Sequence, residues 1–309
     1  MTDDTLHGLL TELTPSKAKV DAYLADTYVL ETVEQLTRLG LDPERFSSEH
    51  SLLLLKPDAI VARAVEPTLT WLADNDFEVV DARRVVVDRH VARALWYFAW
   101  NIASPERRRL ADLLVGISDV LVLVVRAPAA QLPTPVRLAE AKGATDPRKR
   151  QPGDLRYLLG RHNYLLNLVH SPDDPADVLR ELAIYFDEDT RAEVLTRALE
   201  GGDRRAHAAA LGRELYAETP ARSFARADAV ARLCAELGAA ATESLDHRTS
   251  TADSDAAHVA LLDAAWSAGR PLDPWSLIVL GSYVLPMRTG SGAQTLRPVG
   301  ATDWLEARP

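Results

Sequence analysis

Apolar positions follow two different rhythms along this chain. From Ser16 to Gly40, the residues Val20, Leu24, Val29, Leu30, Val33, Leu36 and Leu39 recur at helical spacing, and the glycine ends the run. The segment up to about Ser48 is therefore expected to be helical and to need a surface to cover. The rhythm then changes. "SLLLLKPDA" is a short unbroken apolar run stopped by Pro57, the pattern of a buried strand feeding a loop. "EPTLTWLADN" predicts a helix with Pro67 in its first turn, and "FEVVDARRVVV" predicts a second strand. Two helices follow from Asp88 to Gly116, broken around Ser104 and Pro105. The β-branched run "DVLVLVVRA" is the strongest strand signal in the chain.

Past that strand the pattern predicts a short helix near Arg137. The Gly-, Pro- and Asp-rich "GATDPRKRQPGD" then predicts a loop, and "YLLNLV" a fourth strand. A helix begins at "DDPADVLRELAIYF", with Asp174 as its cap, Pro175 in its first position and Asp177 in its third. Beyond Thr190 the pattern is helical throughout. It is interrupted by a polar linker at His247–Asp255 and gives way to an irregular stretch from about Arg288. The alternation of strands and helices predicts an α+β fold, a split βαβ arrangement on a four-stranded antiparallel sheet with helices over one face. The expected organisation is a helical segment at 1–48, an α+β domain at 49–190 and a helical C-terminal domain at 191–309.

Composition narrows the class. Of the 309 residues, 47% are hydrophobic and 26% charged, which suits a globular protein. The formal net charge of −10 argues against broad binding to nucleic acid or anionic membranes. Cys234 is the sole cysteine, so no intramolecular disulfide is possible and a reducing cytoplasm is the expected setting. Neither a secretory leader nor a membrane-spanning run is expected.

Three fragments carry candidate chemistry: "LLLLKPDA", "GATDPRKRQPGDLR" and "NLVH", the last ending at His170. In order and near-matching spacing they resemble the nucleoside diphosphate kinase family. The resemblance spans about His50 to Phe186, and the predicted strand order is the ferredoxin-like order of that family. It implies phosphoryl transfer through a phosphohistidine, with Mg²⁺ and a nucleoside triphosphate donor. His170 would be the nucleophile, Glu181 its orienting acid, and Lys56, Arg156 and Asn167 contacts to phosphate or ribose. Thr145 would bind phosphate, and Tyr97 would stand beside the histidine. The resemblance also implies nucleotide substrates and a homo-oligomer, a dimer or larger.

The chain departs from that family at several points. Ala139 stands where a second phosphate-binding arginine is expected, with Arg137 and Lys142 nearby, and no phenylalanine occurs in "SPERRRLADLL" to stack on a base. Pro172 replaces a serine that supports the glutamate, with Ser171 one place away. The basic run Lys142–Arg161 and the triplet Arg107–Arg109 each admit two readings, a solvated face or a phosphate-facing rim. His90, His162, His207 and Cys234 have no partners at metal-ligand spacing, so any metal is expected to arrive with the nucleotide. A second functional reading is a nucleotide-binding regulatory protein whose helical flanks engage a partner.

Overall fold

The computed structural model describes residues 3–160, 162–238 and 255–307. Four helices, α1 (Asp3–Leu13), α2 (Lys17–Tyr23), α3 (Thr27–Arg38) and α4 (Pro43–Glu49), precede strand β1 (His50–Leu55). Then come α5 (Pro57–Val61), α6 (Val65–Asp74), β2 (Glu78–Val85), α7 (Arg89–Leu95), a 3-10 helix at Tyr97–Ile102, and α8 (Pro105–Val115). The core is completed by β3 (Val120–Arg126), α9 (Thr134–Lys142), α10 (Leu155–Leu158), β4 (Val169–His170) and α11 (Pro175–Tyr185). The strands pair antiparallel in the order β2-β3-β1-β4, as the split βαβ reading requires.

Helices cover both sheet faces, not the single face expected from the sequence. The cause lies in the strands themselves. β1 and β3 are apolar at consecutive positions, so each must be buried on both sides. Leu52, Leu54, Val122 and Val124 pack against residues of α1, α3 and α11, including Leu10, Val33 and Leu179. On the other face, Leu53, Leu55, Leu121 and Leu123 pack with Trp71 and Leu72 of α6, and with Ala208 and Leu215 beyond the core.

The N-terminal helices are tied to α11 by a buried polar network. Asp174 caps α11 by accepting from Asp177 N, and it also accepts from Thr14 Oγ1 at 2.7 Å. Lys19 Nζ lies 2.8 Å from both Asp174 and Asp177, and Tyr23 donates to Asp177 at 2.5 Å. Removing Asp174 would uncap the helix and leave a buried ammonium short of a partner. Asp174→Ala is therefore expected to lower stability by about 3–5 kcal/mol, read as a shift in the urea midpoint.

After α11 come α12 (Glu188–Glu200), α13 (Arg205–Glu218) and α14 (Arg226–Leu237), then α15 (Asp255–Ser267), α16 (Pro274–Val284) and α17 (Ala301–Ala307). α13 lies on the β2 side of the sheet, where Arg204 N donates to Val79 O at 2.7 Å. Of the expected polar linker, His247–Ser254 lie outside the described residues. Among the described residues no helix is long and apolar enough to cross a membrane.

Two local expectations need correction. The fourth strand is not Tyr164–Val169 but the two residues Val169–His170. Ahead of it, side chains take the backbone donors that a ladder would have used. Asn163 Oδ1 accepts from Leu165 N and Leu166 N, Asp58 Oδ2 accepts from Leu168 N, and Leu168 has φ of 69°. The stretch after Arg288 is not irregular throughout. It ends in α17, held because Trp304 is buried with Val136 and Val299.

Candidate active site

His170 ends β4, opposite Leu54 of the central strand β1. Glu181 lies on the second half of α11, and its Oε1 is 2.8 Å from His170 Nε2. A carboxylate acceptor at that distance places the imidazole proton on Nε2. The lone pair is then on Nδ1, which has no hydrogen-bond partner among the described residues. Tyr185 donates to the second Glu181 oxygen at 3.4 Å. The Trp96 ring meets the imidazole edge-on, with centroids 5.5 Å apart. The histidine is thus held on two sides and remains partly open to a cavity of about 260 Å³.

Buried cations line the same cavity. Lys56 Nζ donates to Leu165 O at 3.0 Å and sits 3.4 Å from Asp58. Lys142 Nζ donates to Ser171 Oγ at 2.6 Å. Arg156 donates to Gly143 O, to Val169 O and, at 3.2 Å, to Thr145 Oγ1. Among the described residues neither Lys142 nor Arg156 has a carboxylate in ion-pair contact. Burial, reinforced by the neighbouring Arg156, pushes the Lys142 ammonium down to about 8. Burial, together with Arg150, pushes Arg156 down to about 10. Burial also lowers Lys56, and lowers Arg107, whose guanidinium lies 5.0 Å from the Tyr164 ring centroid. So much positive charge removed from water without full pairing favours an anion in the cavity.

The loop between α9 and α10 shapes one wall. Gly143 has φ of 85°, and a Cβ there would sit 2.4 Å from Asp154 Oδ2, so a side chain at this position would clash. Arg150, buried, donates to Ala144 O and Thr145 O and holds the loop from within. The basic run therefore divides between its two readings. Lys142, Arg150 and Arg156 are buried, whereas Arg148 and Lys149 are exposed. Among the three consecutive arginines, Arg107 lines the cavity, Arg108 donates to Ala103 O and Arg109 stacks on Trp266.

Of the residues expected at the site, Lys56, Thr145, Arg156, Asn167, His170 and Glu181 all line this one cavity. Tyr97 does not. It is 65% exposed, and its neighbour Trp96 is the aromatic residue against the histidine. α7 explains the difference, because Trp96 continues the buried face of Ala92 by four residues whereas Tyr97 falls off it. For Lys142 the structure favours the phosphate-facing reading of the basic run, since it lines the cavity. It follows buried Leu138 by four residues, a spacing that already marks it as inward. Among the described residues Ser171 makes no hydrogen bond to Glu181, and its hydroxyl accepts from Lys142.

A family model described as "Nucleoside diphosphate kinase" matches residues 49–191. The nucleoside diphosphate kinase of Roseiflexus castenholzii is 30% identical over 152 residues, covering 48% of this chain and 91% of the relative. That of Thermococcus kodakarensis is 26% identical over 140 residues, covering 45% and 76%. A solved structure of the Borrelia burgdorferi nucleoside-diphosphate kinase, a transition-state mimic with bound vanadate and ADP, is 20% identical. It matches with a TM-score of 0.40 over 46% of this chain and 88% of that one. Through residues 49–191, this chain belongs to the nucleoside diphosphate kinase family.

Proposed function

We propose that the protein is a phosphotransferase that carries a phosphoryl group on His170, from a nucleoside triphosphate to a nucleoside diphosphate or a related acceptor. The observation that carries this reading is the His170–Glu181 contact at 2.8 Å beside a cavity lined by Lys56, Lys142 and Arg156. In the first half-reaction the Nδ1 lone pair forms a bond to the terminal phosphorus while the bond to the bridging oxygen breaks. The nucleoside diphosphate leaves with that electron pair. The Nε2 proton stays with the imidazole and is held by Glu181. Charge spread over the transferred oxygens is offset by the buried cations, which already face the cavity. The second half-reaction reverses these steps onto the acceptor.

Among the described residues no cluster of three or more His, Cys, Asp or Glu could hold a metal ion. Mg²⁺ would enter on the nucleotide's own phosphates and offset their charge there. The deciding experiment is incubation with Mg²⁺ and γ-labelled ATP, followed by chase with a nucleoside diphosphate. Label that is acid-labile, base-stable and discharged by the chase is expected. Absence of any label would overturn the reading. Glu181→Gln keeps an acceptor for Nε2 but removes the negative charge, and is expected to slow labelling by about 10- to 100-fold in a single-turnover assay. A second reading, a nucleotide-binding regulatory module with partner-binding flanks, is favoured by the reach of Lys19 and Tyr23 from the N-terminal helices into the cavity wall. It predicts nucleotide binding without label.

A further inference from the structure

The family match stops at residue 191, yet Gln294, Leu296, Arg297 and Pro298 line the cavity that holds His170. The segment bearing them is tied down at both ends. On one side, Ser104 Oγ donates to Pro286 O, Thr289 N to Ile102 O at 2.9 Å, and Thr295 N to Phe98 O at 3.0 Å. Asn101 Nδ2 adds a bond to Ala293 O at 2.9 Å. On the other side, Val299 and Trp304 are buried with Val136 of α9, and Ala301 N donates to Glu140 Oε1 at 2.9 Å. The chain thus runs as a strap from the 3-10 helix at Tyr97–Ile102 to α9, forming part of the cavity wall.

This wall differs in kind from the one built by the lysines. Leu296 packs against the cluster that contains Phe98 and Tyr23, and Pro298 and Trp100 extend the apolar surface of the cavity. The Gln294 amide is half-buried and has no hydrogen-bond partner among the described residues. Arg297 is engaged by Asp303 at 3.0 and 2.6 Å. The cavity therefore combines the buried cations Lys56, Lys142 and Arg156 with apolar groups and an unpaired amide that the strap contributes. A nucleotide has the same two halves, a polyanion and a flat ring with a polar edge. Resting on the nucleotide reading above, we propose that the strap at 286–298 is the nucleoside-binding wall of the site. Leu296 and Pro298 lie against ring and sugar, and Gln294 contacts a polar edge.

Two probes separate the halves. ADP carries a nucleoside, whereas inorganic tripolyphosphate carries only the anion, and calorimetry with the full chain reads both without requiring turnover. Gln294→Ala and Leu296→Ala are each expected to weaken ADP about tenfold and leave tripolyphosphate unchanged. Trp304→Ala frees the strap from α9 at a distance from the cavity and should give the same selective loss. Superimposable thermal unfolding of the two strap variants and the wild type would exclude misfolding. Equal weakening of both probes, or unchanged ADP affinity in both strap variants, overturns the inference. Wild-type protein that binds tripolyphosphate but not ADP overturns it while leaving the anion site intact. Wild-type protein that binds neither removes the nucleotide reading and the inference with it.

Discussion

His170→Ala should carry no acid-labile, base-stable label after incubation with Mg²⁺ and γ-labelled ATP, under conditions in which the wild type is labelled. Turnover should fall by on the order of 10⁴-fold or more, because the substitution removes the imidazole nitrogen that accepts the phosphoryl group. Nε2 is committed to Glu181, so Nδ1 is left as the nucleophile beside the cations. The substitution leaves the Glu181 carboxylate with Tyr185 as its remaining partner, so folding is to be checked by thermal unfolding. The cations stay in place, and ADP should still bind. Undiminished label on the variant would remove His170 from the reaction.

Lys142→Met should lower kcat/KM by about 10²- to 10³-fold and at the same time raise thermal stability at neutral pH. Both effects come from the same buried charge. The ammonium lies inside the protein, bonded to Ser171, with no carboxylate in ion-pair contact among the described residues, and burial pushes it down to about 8. Its folded value lies below the ordinary lysine value near 10.4. Between about pH 8 and that value the unfolded chain therefore binds more protons, and stability rises with pH across the window. The Met variant should lose that rise. For transfer the sign is opposite, because the charged form is the useful one. In the free enzyme kcat/KM should decline as pH climbs through about 8. Lys142→Arg should keep charge at the site and shift that decline to higher pH. An unchanged kcat/KM in the Met variant would show that Lys142 does not face the phosphates.

The same lysine shows where sequence reading stopped. Local pattern places three of the four strands, the fourth sharing only Val169 with its expected span, and most of the helices, because apolar periodicity and caps such as Asp174 act over a few residues. It also brought out Lys56, Thr145, Arg156, Asn167, His170 and Glu181, since these sit in short motifs whose order along the chain mirrors a known family. The motifs pass over Trp96 and leave Lys142 in a basic run with two readings, even though each continues a buried helical face. Neither residue occupies a position of those motifs. The resemblance points to Tyr97, whereas the register of α7 turns it to solvent.

Residue pattern is enough to specify the antiparallel sheet and to join a histidine and a glutamate eleven residues apart, since β4 and α11 are adjacent in the chain. Contacts spanning more than a hundred residues are a different matter. Lys19 reaches Asp174 across 155 positions, and Thr295 reaches Phe98 across nearly 200. No local propensity encodes such pairings. They follow from which helix face remains uncovered once the sheet has formed, and burial of the doubly apolar β1 and β3 is what draws the N- and C-terminal helices onto both faces. That packing brings both flanks to the wall of the histidine cavity.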